Sequence, residues 1–236
     1  MRIRTAALAT AAGTALLAAA ALPATAQPSA APAAASRPGV SEGSVSAADL
    51  LAKVKNCSQI SSGKYRTDEE TSATVPVCGK KNAVFWKADM DIDCDGQVTA
   101  KCNKNTDPWF QADTRFHQSD GKPLNAEKLP YVVVPSVSGI WNYESAGIKG
   151  GGVVAIIYNN KVEYAVVGDT GPEKIIGEAS YAAAKGLGID PDPATGGAES
   201  GVTYILFKNS KASPIESHSE AVSRGDALAK KFLQED

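Results

Sequence analysis

Residues 164–180 constrain this chain more than any other stretch. They read Y-A-V-V-G-D-T-G-P-E-K-I-I-G-E-A-S. The apolar, β-branched run at the start favours an extended, buried backbone. Gly168-Asp169-Thr170-Gly171-Pro172 then stops it with turn-forming residues. A short loop delivers Gly177-Glu178 to an alanine-rich segment, 178–185, that predicts a helix ending at Gly186 and Gly188. A fold that obeys this must leave two carboxylates, Asp169 and Glu178, where a strand ends and a helix begins. Side chains at such junctions are held firmly and still reach solvent.

The rest of the chain repeats the preference for short strands. Residues 83–92 and 97–101 predict strands about an acidic turn at Asp95-Gly96, and 131–134 predict a buried strand closed by Pro135. Residues 152–159 and 161–168 predict a hairpin turning at Asn159-Asn160, and 202–207 a further buried strand. Residues 46–55 predict a short helix capped by Ser46. Val222, Gly225, Ala229, Phe232 and Leu233 make the inner stripe of a C-terminal helix. Single helices set between strands predict a mainly β, α+β fold: a mixed β-barrel with peripheral helices rather than a βαβ sheet.

Three segments are expected along the chain. Arg2 and Arg4 precede an apolar stretch and the small-residue pattern Ala24-Thr25-Ala26, so 1–26 is read as a signal peptide cleaved before Gln27 rather than as a membrane anchor. Residues 27–45, rich in Ala, Pro and Ser, read as a flexible lead-in. Residues 46–236 are long enough for one domain with its own core. Cys57, Cys78, Cys94 and Cys102 are an even set in an exported chain and imply two disulfides. The most local scheme, Cys57–Cys78 with Cys94–Cys102, is preferred over the other pairings. A zinc site built from them lacks any C-x-x-C pair and any neighbouring histidine.

Charge narrows the partners. Without Arg2 and Arg4 the chain carries 22 Lys+Arg against 26 Asp+Glu, and no basic patch suggests nucleic acid. Asp89, Asp91, Asp93 and Asp95 fall within seven residues with no cation among them. A local field of that sign attracts cations. D-x-D-x-D-G also opens a calcium loop, but Cys102 stands where the bidentate Glu belongs, so no metal and no cofactor are expected. Strand alternation places Asp89, Asp91 and Asp93 on one face, with Met90 and Ile92 toward the core. That face is either a solvated surface or the wall of a groove for a cationic ligand. Trp86, Trp109, Trp141 and Tyr143 are candidates for stacking on sugar rings; parity puts Trp86 in the core, and Trp141-Asn142-Tyr143 is preferred. Spacing alone is also satisfied if Asp169 is a turn residue and Glu178 an acid favoured at a helix N-terminus.

Several blocks in order resemble glycoside hydrolase family 75, the fungal-type endo-chitosanases. They are A-D-M-D-I-D-C-D-G-Q (88–97), Y-V-V-V-P (131–135), V-V-G-D-T-G-P (166–172), I-G-E-A-S (176–180) and V-T-Y-I-L-F (202–207). The stretch between the third and fourth is shorter here than in fungal members. The resemblance implies a secreted enzyme that cleaves β-1,4 bonds between glucosamine units of chitosan with inversion, with Asp169 and Glu178 as its essential acids. Chitosan carries protonated amines, which fits the aspartate-rich stretch. The D-T-G-P turn is similar to that of double-psi β-barrel enzymes, an analogy of fold only. On this reading Asp89, Asp91, Asp93, Trp141 and Tyr143 bind substrate and the protein acts as a monomer. A helix dipole at Glu178 would favour its ionised form and the role of base, leaving Asp169 as acid. The rival readings are a secreted glycan-binding module without catalysis and a calcium-stabilised structural domain.

Overall fold

The computed structural model of the protein describes residues 42–235. The expected signal peptide and residues 27–41 of the expected lead-in lie outside the described residues. The remainder of the lead-in is not loose. Glu42 donates its backbone N–H to Val162 and accepts one from Tyr164, and Ser44 hydrogen-bonds Asp226. Ordered packing thus begins ahead of Ser46, because these polar residues find partners that composition does not reveal.

In chain order the elements are α1 (Ala47–Lys53), β1 (Cys78–Gly79), β2 (Ala83–Asp93), β3 (Tyr131–Pro135), β4 (Val153–Tyr158), β5 (Lys161–Gly171), β6 (Glu178–Ser180), α2 (Tyr181–Leu187), β7 (Ala198–Phe207) and α3 (His218–Leu233). Six strands close on themselves in the order β2-β6-β3-β5-β4-β7, and β7 pairs back onto β2. β2–β6 and β3–β5 run parallel, and the remaining pairs are antiparallel. This is the mixed barrel with peripheral helices that the strand-rich pattern predicts, and closure removes the exposed edges an open sheet would present.

Period-two alternation divides the apolar residues between two clusters. Val84, Trp86 and Met90 of β2 join Val132, Ile156, Ala165, Ala179 and Leu206 in a cluster fed by all six barrel strands. Their neighbours of opposite parity, among them Phe85, Tyr131, Tyr164 and Ile205, form the second cluster. Leu50 of α1 and Phe232 of α3 cover that face, so it is the outer one. Ala183, Ala184 and Leu187 of α2 pack onto the inner cluster instead and close the barrel there.

Local signals account for the boundaries. Ser46 caps α1 by accepting the Asp49 N–H. The β4–β5 hairpin turns where predicted, with Asn159 and Asn160 at φ 44° and 64°. Two consecutive left-handed residues match the strand twist, and Asn tolerates that conformation. Both disulfides follow the local scheme, Cys57–Cys78 and Cys94–Cys102. Residues 97–101 form no strand. Thr99 folds back to accept the Lys101 and Cys102 N–H groups, and the short disulfide loop leaves no partner to pair with.

Two expectations at 164–180 are also corrected. The D-T-G sequence is not a turn: β5 continues through Gly171, with Val134 paired to Thr170 and Pro135 to Gly171. Nor does the helix begin at Glu178. Glu178 opens β6, and Ser180 caps α2 by accepting the Ala183 N–H. The Ser180 hydroxyl also bonds the Leu129 carbonyl and the Tyr131 N–H, so the cap is pinned inside the barrel wall.

Candidate active site

β6 sets Glu178. It lies parallel to β2, with Asp91 opposite Glu178 and Asp93 opposite Ser180. Three residues of strand thus bring the aspartate-rich stretch alongside the glutamate. No described group hydrogen-bonds the Glu178 carboxyl. Its Oε2 lies 2.6 Å from where a Cβ on Gly171 would stand, so the second glycine of G-D-T-G leaves room for this carboxylate.

A one-residue irregularity sets Asp169. Val132 pairs with Val167 but Val133 pairs with Asp169, so Gly168 is the extra residue of a bulge. Without it, Asp169 would share the parity of Val167 and point into the barrel. With it, Asp169 shares the face of Val133, and both line the cleft. A side chain at Gly168 would strike Tyr131 and Leu124. The Asp169 Oδ1 accepts two backbone N–H groups, from Arg115 at 2.8 Å and from Thr170 at 2.7 Å.

The cleft holds about 570 Å³ and is walled by seven carboxylates: Asp68, Asp91, Asp93, Asp95, Asp107, Asp169 and Glu178. Among the described residues, none of its lining side chains is a lysine, arginine or histidine. Desolvation is therefore the main cause that raises five of them, Asp91, Asp93, Asp95, Asp169 and Glu178. Burial and the Asp91 charge push Glu178 up to about 7. Burial is also the main cause for Asp91 and Asp95, each at about 6, and for Asp93, which is held well above the carboxylate range. Burial raises Asp169 too, but the two N–H donors favour its charged form and oppose the rise.

Not every expected site residue is on the wall. Asp91 and Asp93 are. Asp89 shares their face but is buried, with its Oδ1 packed against Gly177; the extra residues at the β2–β7 register shift beside it belong to β7. The Asp89 Oδ1 has no hydrogen-bond partner among the described residues, and burial followed by the Asp91 charge pushes Asp89 up to about 8. Asp68, Asp89 and Asp91 bring one carboxylate oxygen each within 4.8 Å of one another, an arrangement able to take a cation or an ammonium group. Trp141 and Tyr143 are corrected to core residues. Trp141 packs edge-on against Trp86 with ring centroids 6.2 Å apart, and Tyr143 is only 3% exposed. The aromatic at the cleft is Trp109, 85% exposed.

Sequence reasoning names neither Asp68 nor Asp107, and ranks Trp109 behind Trp141, yet all three of Asp68, Asp107 and Trp109 line the cleft. Asp68 sits in D-E-E, which locally is only a solvated run; the bridge between Arg66 and Ile175 carries it to the cleft. Asp107 and Trp109 share a D-P-W turn closed by the Trp109 N–H on Asp107 Oδ1 at 2.8 Å. That turn was the available signal.

Comparison with known proteins follows the same blocks. Residues 90–232 match the profile of a family described as fungal chitosanase of glycosyl hydrolase group 75. Endo-chitosanase C of Aspergillus oryzae is 33% identical over 134 residues, which is 55% of this chain and 33% of that protein. An endo-chitosanase of Aspergillus oryzae (strain ATCC 42149 / RIB 40) is 32% identical over 143 residues, 55% of this chain and 58% of that protein. The chain thus spans between a third and three-fifths of these relatives' lengths. Among solved structures, the Streptomyces papain inhibitor (SPI) aligns at 16% identity and a TM-score of 0.33, covering 57% of this chain and 100% of that one.

Proposed function

The chain belongs to glycosyl hydrolase group 75, the fungal chitosanases, and on that premise we propose that it is a secreted endo-chitosanase that hydrolyses β-1,4 bonds between glucosamine units. One observation carries the substrate: seven carboxylates wall a cleft with no lining cation. Such a wall repels anionic polymers and is indifferent to neutral ones, whereas a chain of ammonium groups supplies the missing counter-charge. Asp68 and Asp91, with Asp89 behind them, form the strongest single ammonium cradle. Trp109 offers an exposed ring on which a sugar can stack.

The reaction we assign is an inverting hydrolysis. Glu178 is the acid. At about 7 its carboxyl remains protonated in the mildly acidic water where chitosan is cationic, and it gives that proton to the glycosidic oxygen. Asp169 is the base. Its two backbone N–H donors favour the carboxylate, which takes a proton from water as the water oxygen bonds to the anomeric carbon and the glycosidic bond breaks. This reverses the assignment that a helix dipole at Glu178 would suggest, because Glu178 stands on a strand.

Incubation with soluble chitosan tests the reading. A fast drop in viscosity with a rise in reducing ends, and an α-anomer as first product, supports an inverting endo-hydrolase. Binding without new reducing ends would make the protein a glycan-binding module. Export is part of the proposal: the mature protein recovered from culture medium should begin at Gln27 and behave as a monomer.

A further inference from the structure

A second cluster of titratable side chains, with one buried carboxylate at its centre, lies outside the cleft and has no part in this reaction. Glu42, Glu163 and His218 come from the segment ahead of α1, from β5 and from the first residue of α3. His218 Nε2 lies 3.0 Å from Glu42 Oε1 and 3.8 Å from Glu163 Oε1, and one donor atom from each residue lies within 4.8 Å of the others. The Glu163 side chain is 8% exposed. It accepts no hydrogen bond from any described residue, and Lys161 acts on it only at longer range. Gly186 of α2 lies over it, and a Cβ there would collide with both carboxylate oxygens. A glycine inside a helix weakens the helix, so room for this carboxylate is kept at the expense of local stability.

A hydrogen-bonded ion triad explains only half of this. Glu42 is fully used, since its Oε2 accepts the Tyr164 N–H at 2.7 Å as well as facing the imidazole. Glu163 at 3.8 Å is beyond hydrogen-bond reach and remains buried without a donor. A cation between the three donors satisfies both carboxylates. Zinc bound tetrahedrally by nitrogen and oxygen at about 2.0–2.2 Å sets its ligands about 3.3–3.5 Å apart, and the two observed separations fall on either side of that value. Two carboxylates and a neutral imidazole also neutralise a divalent ion. An imidazole in the set favours zinc-class ions over calcium or magnesium, which take oxygen.

We propose that Glu42, Glu163 and His218 bind one divalent ion of the zinc class, with water in the fourth position, and that the ion fastens the segment ahead of α1 to the barrel. Zn²⁺ titrated near neutral pH into chelator-treated full-length protein tests this by calorimetry and thermal melting. One ion should bind per chain. At a free concentration about 100 times Kd it should raise Tm by about 5–10 °C, and EDTA should reverse the rise. Glu163→Gln keeps the shape and removes a buried anion, so it should fold. Glu163→Gln and His218→Gln should each weaken Zn²⁺ binding by at least about 100-fold while chitosan cleavage is unchanged. Co²⁺ gives a readout in the unsubstituted chain: a paramagnetically shifted imidazole resonance identifies a histidine ligand. The proposal is overturned if Zn²⁺ produces neither heat nor a melting shift, or if binding survives both substitutions. It is equally overturned if binding is lost in the Asp68→Asn/Asp91→Asn double variant instead, which would put the ion at the cleft.

Discussion

The cleft and the Glu42–Glu163–His218 niche both bury carboxylates, but they answer the resulting charge in opposite ways. The niche places an imidazole between its two acids. The cleft sets seven acids around open volume, and among the described residues no lysine, arginine or histidine lines it. Unpaired buried charge destabilises a fold, and folds retain it chiefly where a ligand needs it. On the proposed readings a cationic polymer completes the cleft and a small ion completes the niche. Hydrogen bonding separates Glu178 from Asp169 within the cleft: one has no hydrogen-bond donor among the described residues, the other has two.

The largest expected effects come from that pair. Glu178→Gln and Asp169→Asn should each lower chitosan turnover by about 100- to 10,000-fold with the fold intact, measured as reducing ends per unit time. Near-native turnover in either would remove that residue from the reaction. The assignment of roles sharpens with azide. Asp169→Gly leaves space beside the anomeric carbon, so azide should restore bond cleavage and yield an α-glycosyl azide. Rescue of Glu178→Gly by azide with the same product would exchange the two roles.

The tryptophans test whether burial or position decides function. Trp141→Ala opens a void against Trp86 and should lower stability by about 3–5 kcal/mol in denaturant unfolding. Trp109→Ala should change stability by less than about 0.5 kcal/mol, because the ring is already in water. It should instead raise KM for chitosan several-fold. A Trp109→Ala enzyme with unchanged KM would leave the cleft without its stacking platform.

The pH dependence of stability follows from the raised acids. Asp91 and Asp95 at about 6, Glu178 at about 7 and Asp89 at about 8 all titrate higher in the folded chain than in the unfolded one. The folded state therefore holds protons that the unfolded state has lost, and stability falls as pH rises from about 4 to about 8. Glu163, also at about 8, acts in the same sense. Asp113, Asp120 and Asp226 are held below their usual range, by His117, Lys122 and Lys230 respectively, and lose their contribution as pH falls through those values. Thermal melts should peak between these two ranges, in mild acid. A Tm that climbs steadily to pH 8 would mean that the cleft acids are compensated after all.

The barrel was legible in the sequence wherever local chemistry decides structure. Asn-Asn dictates the hairpin turn, Ser46 the cap of α1, and alternating Val, Trp and Met the inner face of β2. What eluded it depended on pairing. A single extra residue at Gly168 turns Asp169 outward, and nothing near it announces which way a bulge will act; Asp89 keeps the face of Asp91, but Gly177, from a distant segment, packs against it. Glu178 looked like the first residue of a helix because three residues of strand are too few to show a period. Sequence neighbours favour Trp141 over Trp109, but only tertiary packing separates a core ring from an exposed one. The two acids of the cleft were found from their blocks, and their surroundings came only with the fold.

The smallest effect bears most directly on the comparison. Asp91→Asn removes one negative charge next to Glu178 and within reach of Asp68 and Asp89. The Asp91 charge is among the causes that raise Glu178 and Asp89, so both should titrate lower in the variant. Near pH 7 the variant should melt a few degrees above the parent. Below about pH 4, where Asp91 is already protonated, the gain should vanish. Chitosan binding should weaken, and its dependence on salt should flatten, because one of the attracting charges is gone. The acid limb of the activity profile should stay in place while the alkaline limb moves to lower pH, since Glu178 is the group that must keep its proton. A shift of the acid limb alone would instead identify Glu178 as the base, and with it reverse the order of proton transfers assigned to the cleft.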